Sequence, residues 1–531
     1  MKHTLHRLTA LALALCLLGG CAGEVPETDA QPTQTTQPEN SPTESAERVK
    51  DFGLAYVPEY GFNPYDCVCL TNRPVISLAY EGLFVLNNQF EPEPVLCDTV
   101  SVSDDEKTYT VTLCQDARFS DGSAVTAQDV VASLQAATDS DYYGSRFYQI
   151  YELEAADTRT VILRLYTPYE NLPLLLDVPI VKEGTTGDAV PVGSGPYTIR
   201  LEDGGGTLVR NNGWWQDAAP AVDEPTIGLT AAETPTQVRD SFEFGDTALV
   251  CADLNAPAAV GYRCDYELWN CSTTVMQYIG FNIGSGLFVN QSFRAAVTHM
   301  LDRDTIVARI YNGFADAACL PCSPRSNLYD SELASQYGYD EAAFRQAMKD
   351  AGIAKGSTGT ILVNSADASR VEMAHFIADA MAEYGLKLEV RAVDADTYAY
   401  QLNRGGFDMF IGEVRLSGNF DLSEFFKPYG QVSYGGIQDA ATYEMCKYML
   451  ENSGNAYDLH QSVMDKGYLC PVLFKSYAVM ATRGVIGDLQ PAVDNVFHLH
   501  SGRTLADVSV LPTEPETAQT EAATDQTTEE P

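Results

Sequence analysis

Phe407-Asp408-Met409-Phe410-Ile411-Gly412-Glu413-Val414-Arg415-Leu416-Ser417-Gly418-Asn419-Phe420-Asp421-Leu422-Ser423-Glu424-Phe425-Phe426 is the stretch on which the fold turns. Its first five residues form an apolar run between Gly405-Gly406 and Gly412, the pattern of a short buried strand. The remainder is polar and aromatic. Glu413 and Arg415 flank Val414, the loop Ser417-Gly418-Asn419 follows, and Asp421 precedes Phe425-Phe426. Charged and aromatic groups past the end of a buried strand are what an α/β cleft uses to hold a ligand.

The residues before this stretch supply the sheet. Gly359 to Asn364 reads as a strand. Ala368 to Glu383 reads as a helix with Val371, Ala374, Ile377, Ala378 and Met381 on one face, closed by Gly385. Leu386, Leu388 and Val390 then alternate with Lys387, Glu389 and Arg391. Tyr398 to Asn403 reads as a second helix, and the run from Phe407 to Ile411 as the next strand. Strand, helix, strand in this order is a βαβ unit with parallel strands, whose ligands bind at the carboxyl ends. Glu413 to Asp421 is expected just past such an end.

The chain has 531 residues, 45% of them hydrophobic, enough for two or three domains. Its formal net charge of −40 argues against nucleic acid and anionic lipid surfaces as partners. Lys2 and Arg7 precede an apolar run, Leu8 to Leu18, that is too short to span a bilayer. Leu18-Gly19-Gly20-Cys21 ends that run in the manner of a lipoprotein signal, residues 1–20, with Cys21 as the lipidated residue. A pair of acyl chains there would anchor the chain stably. Residues 21–48 are rich in Pro, Thr, Gln and Glu and read as a tether; residues 511–531 read as an acidic tail of the same kind.

Thirteen cysteines include Cys16 and Cys21, which leaves eleven for the folded body, an odd number that cannot pair completely. Cys319-Leu320-Pro321-Cys322 reads as a loop or a simple disulfide. A zinc site there would need two more ligands. His498-Leu499-His500, if placed on a strand, would turn both imidazoles to one side and could serve a metal. No Gly-x-Ser-x-Gly, Walker phosphate loop or His-Glu-x-x-His occurs.

In the earlier half, Thr108 to Leu113 and Thr160 to Leu165 alternate as half-buried strands. Phe119-Ser120-Asp121-Gly122 is a tight turn, and Thr126 caps a helix carrying Asp129 in its first turn and Val130, Val131 and Leu134 as its apolar stripe. The order of strand, charged turn, Phe-Ser-Asp-Gly and Thr-Ala-x-Asp-Val between Ser103 and Leu134 resembles the signature region of family 5 extracellular solute-binding proteins, the peptide- and nickel-type receptors of ABC importers. Gly193-Ser194-Gly195-Pro196-Tyr197 resembles the family's Gly-Thr-Gly-Pro-Tyr element. Gln277 to Gly313, with Phe281-Asn282, Phe293-Arg294-Ala295-Ala296-Val297 and Leu301-Asp302-Arg303, resembles a further block. The likeness keeps its order from about Leu54 to His498.

The resemblance implies a two-lobed α/β fold of the type II periplasmic-binding-protein kind. The first lobe would span 49–270 with an extra domain inserted at about 80–190, the second 271–482, and 483–510 would return to the first. It implies binding and delivery without catalysis or a cofactor. The partners would be a small peptide or related solute, and the permease and ATPase of an ABC importer, on the periplasmic side of the cell membrane. The resemblance also places an acidic residue in the loop after the Phe-Asp-Met strand as acceptor of a ligand's amino terminus, and Asp421 matches best. Glu413 stands where many members carry tryptophan. Arg415 suits a ligand carboxylate, which its planar fork fits bidentately. Tyr434, beside Gly435-Gly436, suits stacking or a hydrogen bond, and Asn419 lies in the same loop system. Two other readings stay open: a nickel or metallophore receptor using His498 and His500, and a surface lipoprotein metallo-enzyme with a metal near Cys319 and Cys322.

Overall fold

The computed structural model describes residues 52–140, 142–202, 204–256 and 261–505. The signal, Cys21, the tether and the acidic tail lie outside the described residues. An 11-stranded sheet runs through the molecule. Ten of its strands, in chain order, are β1 (Gly53–Tyr56), β2 (Tyr197–Glu202), β3 (Gly205–Arg210), β4 (Thr226–Ala231), β5 (Leu249–Ala252), β6 (Tyr266–Phe281), β7 (Thr358–Asn364), β8 (Lys387–Val393), β9 (Met409–Arg415) and β10 (Leu469–Thr482). Their spatial order is β2-β3-β4-β1-β5-β10-β6-β9-β7-β8, and the short strand Ala315–Ala317 pairs with β10.

Two strands carry the architecture. β6 and β10 are far longer than the rest and pair antiparallel from Tyr266↔Thr482 to Gly280↔Leu469. Their register shifts between Ser272 and Met276, the mark of a bulge. On one side of it β10 pairs with β5, and through β5 with the parallel strands β1 and β4. On the other side β6 pairs with β9, which joins the parallel strands β7 and β8. A bulge bends and twists a strand pair, so this one sheet belongs to two lobes. β5 ends at Ala252, opposite Ala478, and β9 ends at Arg415, opposite Val275. The carboxyl ends of parallel strands in both lobes therefore converge on the bulge.

The βαβ reading of the second lobe holds closely. The helix after β7 spans Ala368–Glu383, with Asp367 accepting from the amide of Arg370 at its start. Its buried face is Met373, Ala374, Ile377 and Met381. The next helix, Ala395–Arg404, is capped by Asp394 and closed by Gly405 at φ 69°, a left-handed conformation that glycine adopts without strain. The following strand differs at both ends, beginning at Met409 and not at Phe407. The strand does not stop at Ile411 but runs on through Glu413, Val414 and Arg415. Its neighbour β6 continues the ladder past the apolar run, pairing Gln277 with Glu413 and Val275 with Arg415. Asp408 precedes the strand. Its carboxylate accepts from Leu287 N at 3.1 Å and from Thr360 N at 2.8 Å, tying β9 to its neighbours.

A separate four-stranded antiparallel sheet stands beside the first lobe, in the order Cys97–Val102, Thr108–Leu113, Thr160–Leu165, Ile150–Ala155. Helix Ala127–Thr138 accompanies it, and Thr126 with Asp129 forms a reciprocal capping box at its start. Gly193 and Gly195 of the Gly-Ser-Gly-Pro-Tyr element press on the backbone of Ala79. A Cβ on Gly193 would stand 2.2 Å from the Ala79 carbonyl oxygen. Among the described residues no helix is long and apolar enough to cross a membrane.

Candidate functional site

The convergence at the bulge assembles a chain of charges. Asp253 follows β5, Asp367 follows β7, Glu413 and Arg415 end β9, and Lys475 lies on β10 beside the bulge. Lys475 Nζ is 2.5 Å from Asp253 Oδ2 and 3.6 Å from Glu413 Oε2, so one ammonium of the long strand joins the two lobes. This pair is buried: the Lys475 side chain is 6% exposed and that of Asp253 11%. Gln277 donates to Glu413 at 2.7 Å, and the Tyr311 hydroxyl donates to Gln277 in turn. Arg370 Nε pairs with Asp367 at 2.7 Å. Burial disfavours ionised Glu413, but Lys475, Arg370 and Gln277 outweigh it and hold its carboxyl below the ordinary range. Lys475 shifts upward for the complementary reason, because Glu413 and Asp253 outweigh its burial.

A second group continues from Arg415. Its Nη1 is 2.5 Å from Asp494 Oδ2, and its Nη2 donates to the Tyr477 hydroxyl at 2.8 Å. Arg73 Nη1 stands 3.8 Å from Asp494 Oδ1. The Tyr142 ring gathers three guanidiniums, those of Arg73 at 4.8 Å, Arg415 at 5.1 Å and Arg146 at 5.9 Å from its centroid. Arg146 also pairs with Asp177. The whole seam holds Arg73, Arg146, Arg370, Arg415 and Lys475 against Asp177, Asp253, Asp367, Glu413 and Asp494, and is charge-balanced. A cavity of about 120 Å³ adjoins this group, lined by Arg73, Tyr142, Asp177 and Asp494 with Ile76 and Phe84.

Of the residues expected from the sequence, Glu413 and Arg415 stand in the seam. Asp421 does not. It accepts from Ser423 N and Oγ at 2.9 and 2.6 Å and from the Tyr148 hydroxyl at 3.0 Å, and burial pushes its carboxyl upward. Asn419 is buried and donates to the Tyr169 hydroxyl. Both residues join the second lobe to the four-stranded domain. Tyr434 is half-buried with its ring edge-on to Phe410 at 6.0 Å.

His498 and His500 do not lie on a strand, the condition on which a shared metal depended. They sit in a tight turn, with Leu499 at φ 45° and His500 at φ 58°. Their imidazoles diverge to separate carboxylates, His498 to Glu93 at 3.1 Å and His500 to Glu81 at 3.3 Å. Cys319-Leu320-Pro321-Cys322 is a loop of free thiols. Cys322 is buried 3.9 Å from His460 Nδ1, and burial pushes its thiol well up, away from the thiolate a metal needs. Among the described residues no group of three or more His, Cys, Asp or Glu side chains is placed to hold a metal ion. Sequence reasoning missed Arg73, Tyr142, Asp253, Lys475 and Asp494. No local pattern marks them, and only the hinge strands bring them together.

Two α/β lobes joined through a pair of long strands, with charged side chains at the strand ends between them, define a solute-binding fold of the type II periplasmic kind. Comparison with known proteins agrees. Residues 91–435 match the model of bacterial extracellular solute-binding proteins, family 5, and the chain belongs to that family. It is a solute-binding component of an ABC importer, acting outside the cytoplasm. Over 370 residues the chain is 26% identical to the glutathione-binding protein GsiB of Salmonella paratyphi A, covering 65% of this chain and 69% of that protein. The ABC transporter substrate-binding protein CtaP of Listeria monocytogenes superposes with a TM-score of 0.71 at 17% identity, covering 86% of this chain and 100% of that one. NikZ of Campylobacter jejuni, solved in complex with Ni(L-His), superposes with a TM-score of 0.64 at 17% identity, covering 85% and 99%.

Proposed function

We propose that this chain is a lipid-anchored receptor for a small zwitterionic solute, a short peptide in the size class of glutathione. It binds the solute between its lobes and delivers it to the permease and ATPase of an ABC importer. The observation that carries this reading is the balanced seam of five cations and five carboxylates at the lobe junction. A solute of single charge would leave one member of the seam unpaired, at a cost of about 3–5 kcal/mol for a buried partner. A solute bearing both an ammonium and a carboxylate can exchange with a pair and keep every charge matched. Glu413 with Asp253 suits the ammonium, and Arg415 with Arg73 suits the carboxylate. The sequence relationship to a glutathione-binding protein supports the size class. Cys21 supplies the anchor.

Isothermal titration of the purified protein with glutathione, trialanine and a nickel–histidine chelate tests the ligand. Saturable one-to-one binding of a peptide is expected. Binding of the nickel chelate with no peptide binding would overturn the reading. Cys21→Ala should move the protein from the membrane fraction to the soluble fraction.

A further inference from the structure

Three features of the Arg73–Arg415–Asp494 group are not explained by a purely structural ion pair. The first is stoichiometry. Arg146 has Asp177 to itself, so Arg73 and Arg415 share the single carboxylate of Asp494. The second is incomplete satisfaction. Asp494 Oδ1 and Arg73 Nε are both buried and make no hydrogen bond with any described residue. Asp494 meets Arg415 through Oδ2, while its other oxygen is 3.8 Å from Arg73, so neither guanidinium grips a carboxylate at two points; Arg415 gives Nη2 to the Tyr477 hydroxyl and Arg73 gives Nη1 to the Asp494 main-chain oxygen at 3.5 Å. The third is the mounting of Asp494. It sits at φ 53° in a tight turn closed by Ala492 N to Asn495 O at 2.9 Å, and its own amide donates to Ser272 O at 2.9 Å on the long strand β6, at the edge of the bulge. Its short side chain thus reaches out from a fixed loop and cannot settle between the two guanidiniums.

The neighbouring cavity of about 120 Å³ is lined by Arg73, Tyr142 and Asp494 and leaves room for a group the size of a carboxymethyl; Arg415 is outside its lining and is reached from it through Asp494. We propose that Arg73 and Arg415 form the subsite for the carboxylate end of the solute, and that Asp494 is its resident competitor, displaced when the solute enters. This inference rests on the zwitterionic-solute reading and deepens it. Asp494 keeps the guanidiniums paired in the empty receptor. It also sets a threshold: a solute must offer a carboxylate that binds both guanidiniums better than Asp494 does. A neutral-ended solute gains nothing at this subsite, because it cannot take the guanidiniums from Asp494.

Asp494→Gly tests this directly, since glycine accepts the positive φ and vacates the carboxylate. The variant should unfold at a lower temperature than wild type. Millimolar sodium acetate should restore most of the loss, while sodium chloride at equal ionic strength should not. Acetate acting no better than chloride overturns the inference. A second arm uses Asp494→Asn and Asp494→Gly titrated with trialanine and trialanine amide. Both variants should bind the free acid about tenfold tighter than wild type does, with the amide unchanged, because a charge-assisted bidentate pair no longer faces a competitor. Equal free-acid affinities, or weaker ones, overturn it. If wild type binds no peptide at all, the zwitterionic-solute reading fails, while the acetate arm still decides whether the subsite exists.

Discussion

Ser194 Oγ donates to Oε2 of Glu81 at 2.7 Å, joining residues 113 positions apart in the chain. Glu81 is buried and accepts in addition from Trp214 Nε1 at 3.2 Å, Trp215 Nε1 at 2.8 Å and Gln216 Nε2 at 2.9 Å. Gly193-Ser194-Gly195-Pro196-Tyr197, which carries part of the family likeness, and the segment around Glu81 are therefore one structural knot. Removing the carboxylate leaves four donors facing an empty place. Glu81→Ala should lower unfolding free energy by about 3–5 kcal/mol, the cost of uncompensated buried groups, whereas Glu81→Gln should lose less. Urea unfolding followed by tryptophan fluorescence measures both. A loss below about 1 kcal/mol for the alanine variant would mean that the donors find other acceptors.

The same knot distinguishes two glycines. A Cβ on Gly195 would lie 2.6 Å from the carbonyl carbon of Ala79 and from Leu78 O, both backbone atoms that cannot step aside. Gly122, at φ 86° in the Phe-Ser-Asp-Gly turn, faces open space. Gly195→Ala should abolish soluble expression. Gly122→Ala should remain folded and lose only about 1 kcal/mol from the strained backbone. Comparable yields of the two variants would contradict the packing account.

What the sequence shows and what it hides follow from the range of the forces involved. Thr108–Leu113, Thr160–Leu165 and Ala368–Glu383 were readable because alternation, helical periodicity and caps are local. The strand ending at Arg415 was cut short at Ile411 because its last residues are held by the β6 ladder, not by their own apolarity. Whether His498 and His500 share a face was open in the sequence because nothing in His-Leu-His signals a turn with positive φ. Arg415 and Glu413 could be noticed from their place after an apolar run. Asp253, Lys475 and Asp494 could not, because they meet only where two long strands bulge past each other.

The two carboxylates proposed as partners of a solute's ammonium can be separated by substitution. Glu413 is held ionised by Lys475 and Arg370 and stands at the junction, while Asp421 is pushed toward its neutral form by burial and is occupied by Ser423 and Tyr148. Glu413→Gln should weaken binding of trialanine about tenfold or more, the value of a charge-assisted contact, and weaken N-acetylated trialanine less. Asp421→Asn should change either affinity by no more than about threefold, since its carboxylate is occupied by Ser423 and Tyr148 and takes no part in the seam. Calorimetric titration of the four combinations decides between them. A larger free-amine effect at Asp421 would move the ammonium site into the loop after β9.

His460 gives the molecule a predictable sensitivity to acid. It is fully buried on helix Ala456–Lys466, 3.9 Å from Cys322 Sγ, and burial lowers its pKa from 6.5 to about 4. A buried imidazole without a carboxylate partner can be protonated in the folded state only at the expense of desolvating the cation. The unfolded chain takes up that proton near its ordinary value. Between pH 6.5 and 4 the unfolded state therefore binds more protons, and stability falls as pH falls through that window. The shift corresponds to about 3 kcal/mol lost on reaching pH 4. His498 is also shifted downward by burial, and it adds to the slope in the same direction. His460→Gln, neutral and of similar volume, should flatten the pH dependence of the urea midpoint across this range while leaving peptide affinity at neutral pH unchanged. A variant whose midpoint tracks that of wild type would show that the acid sensitivity has another source.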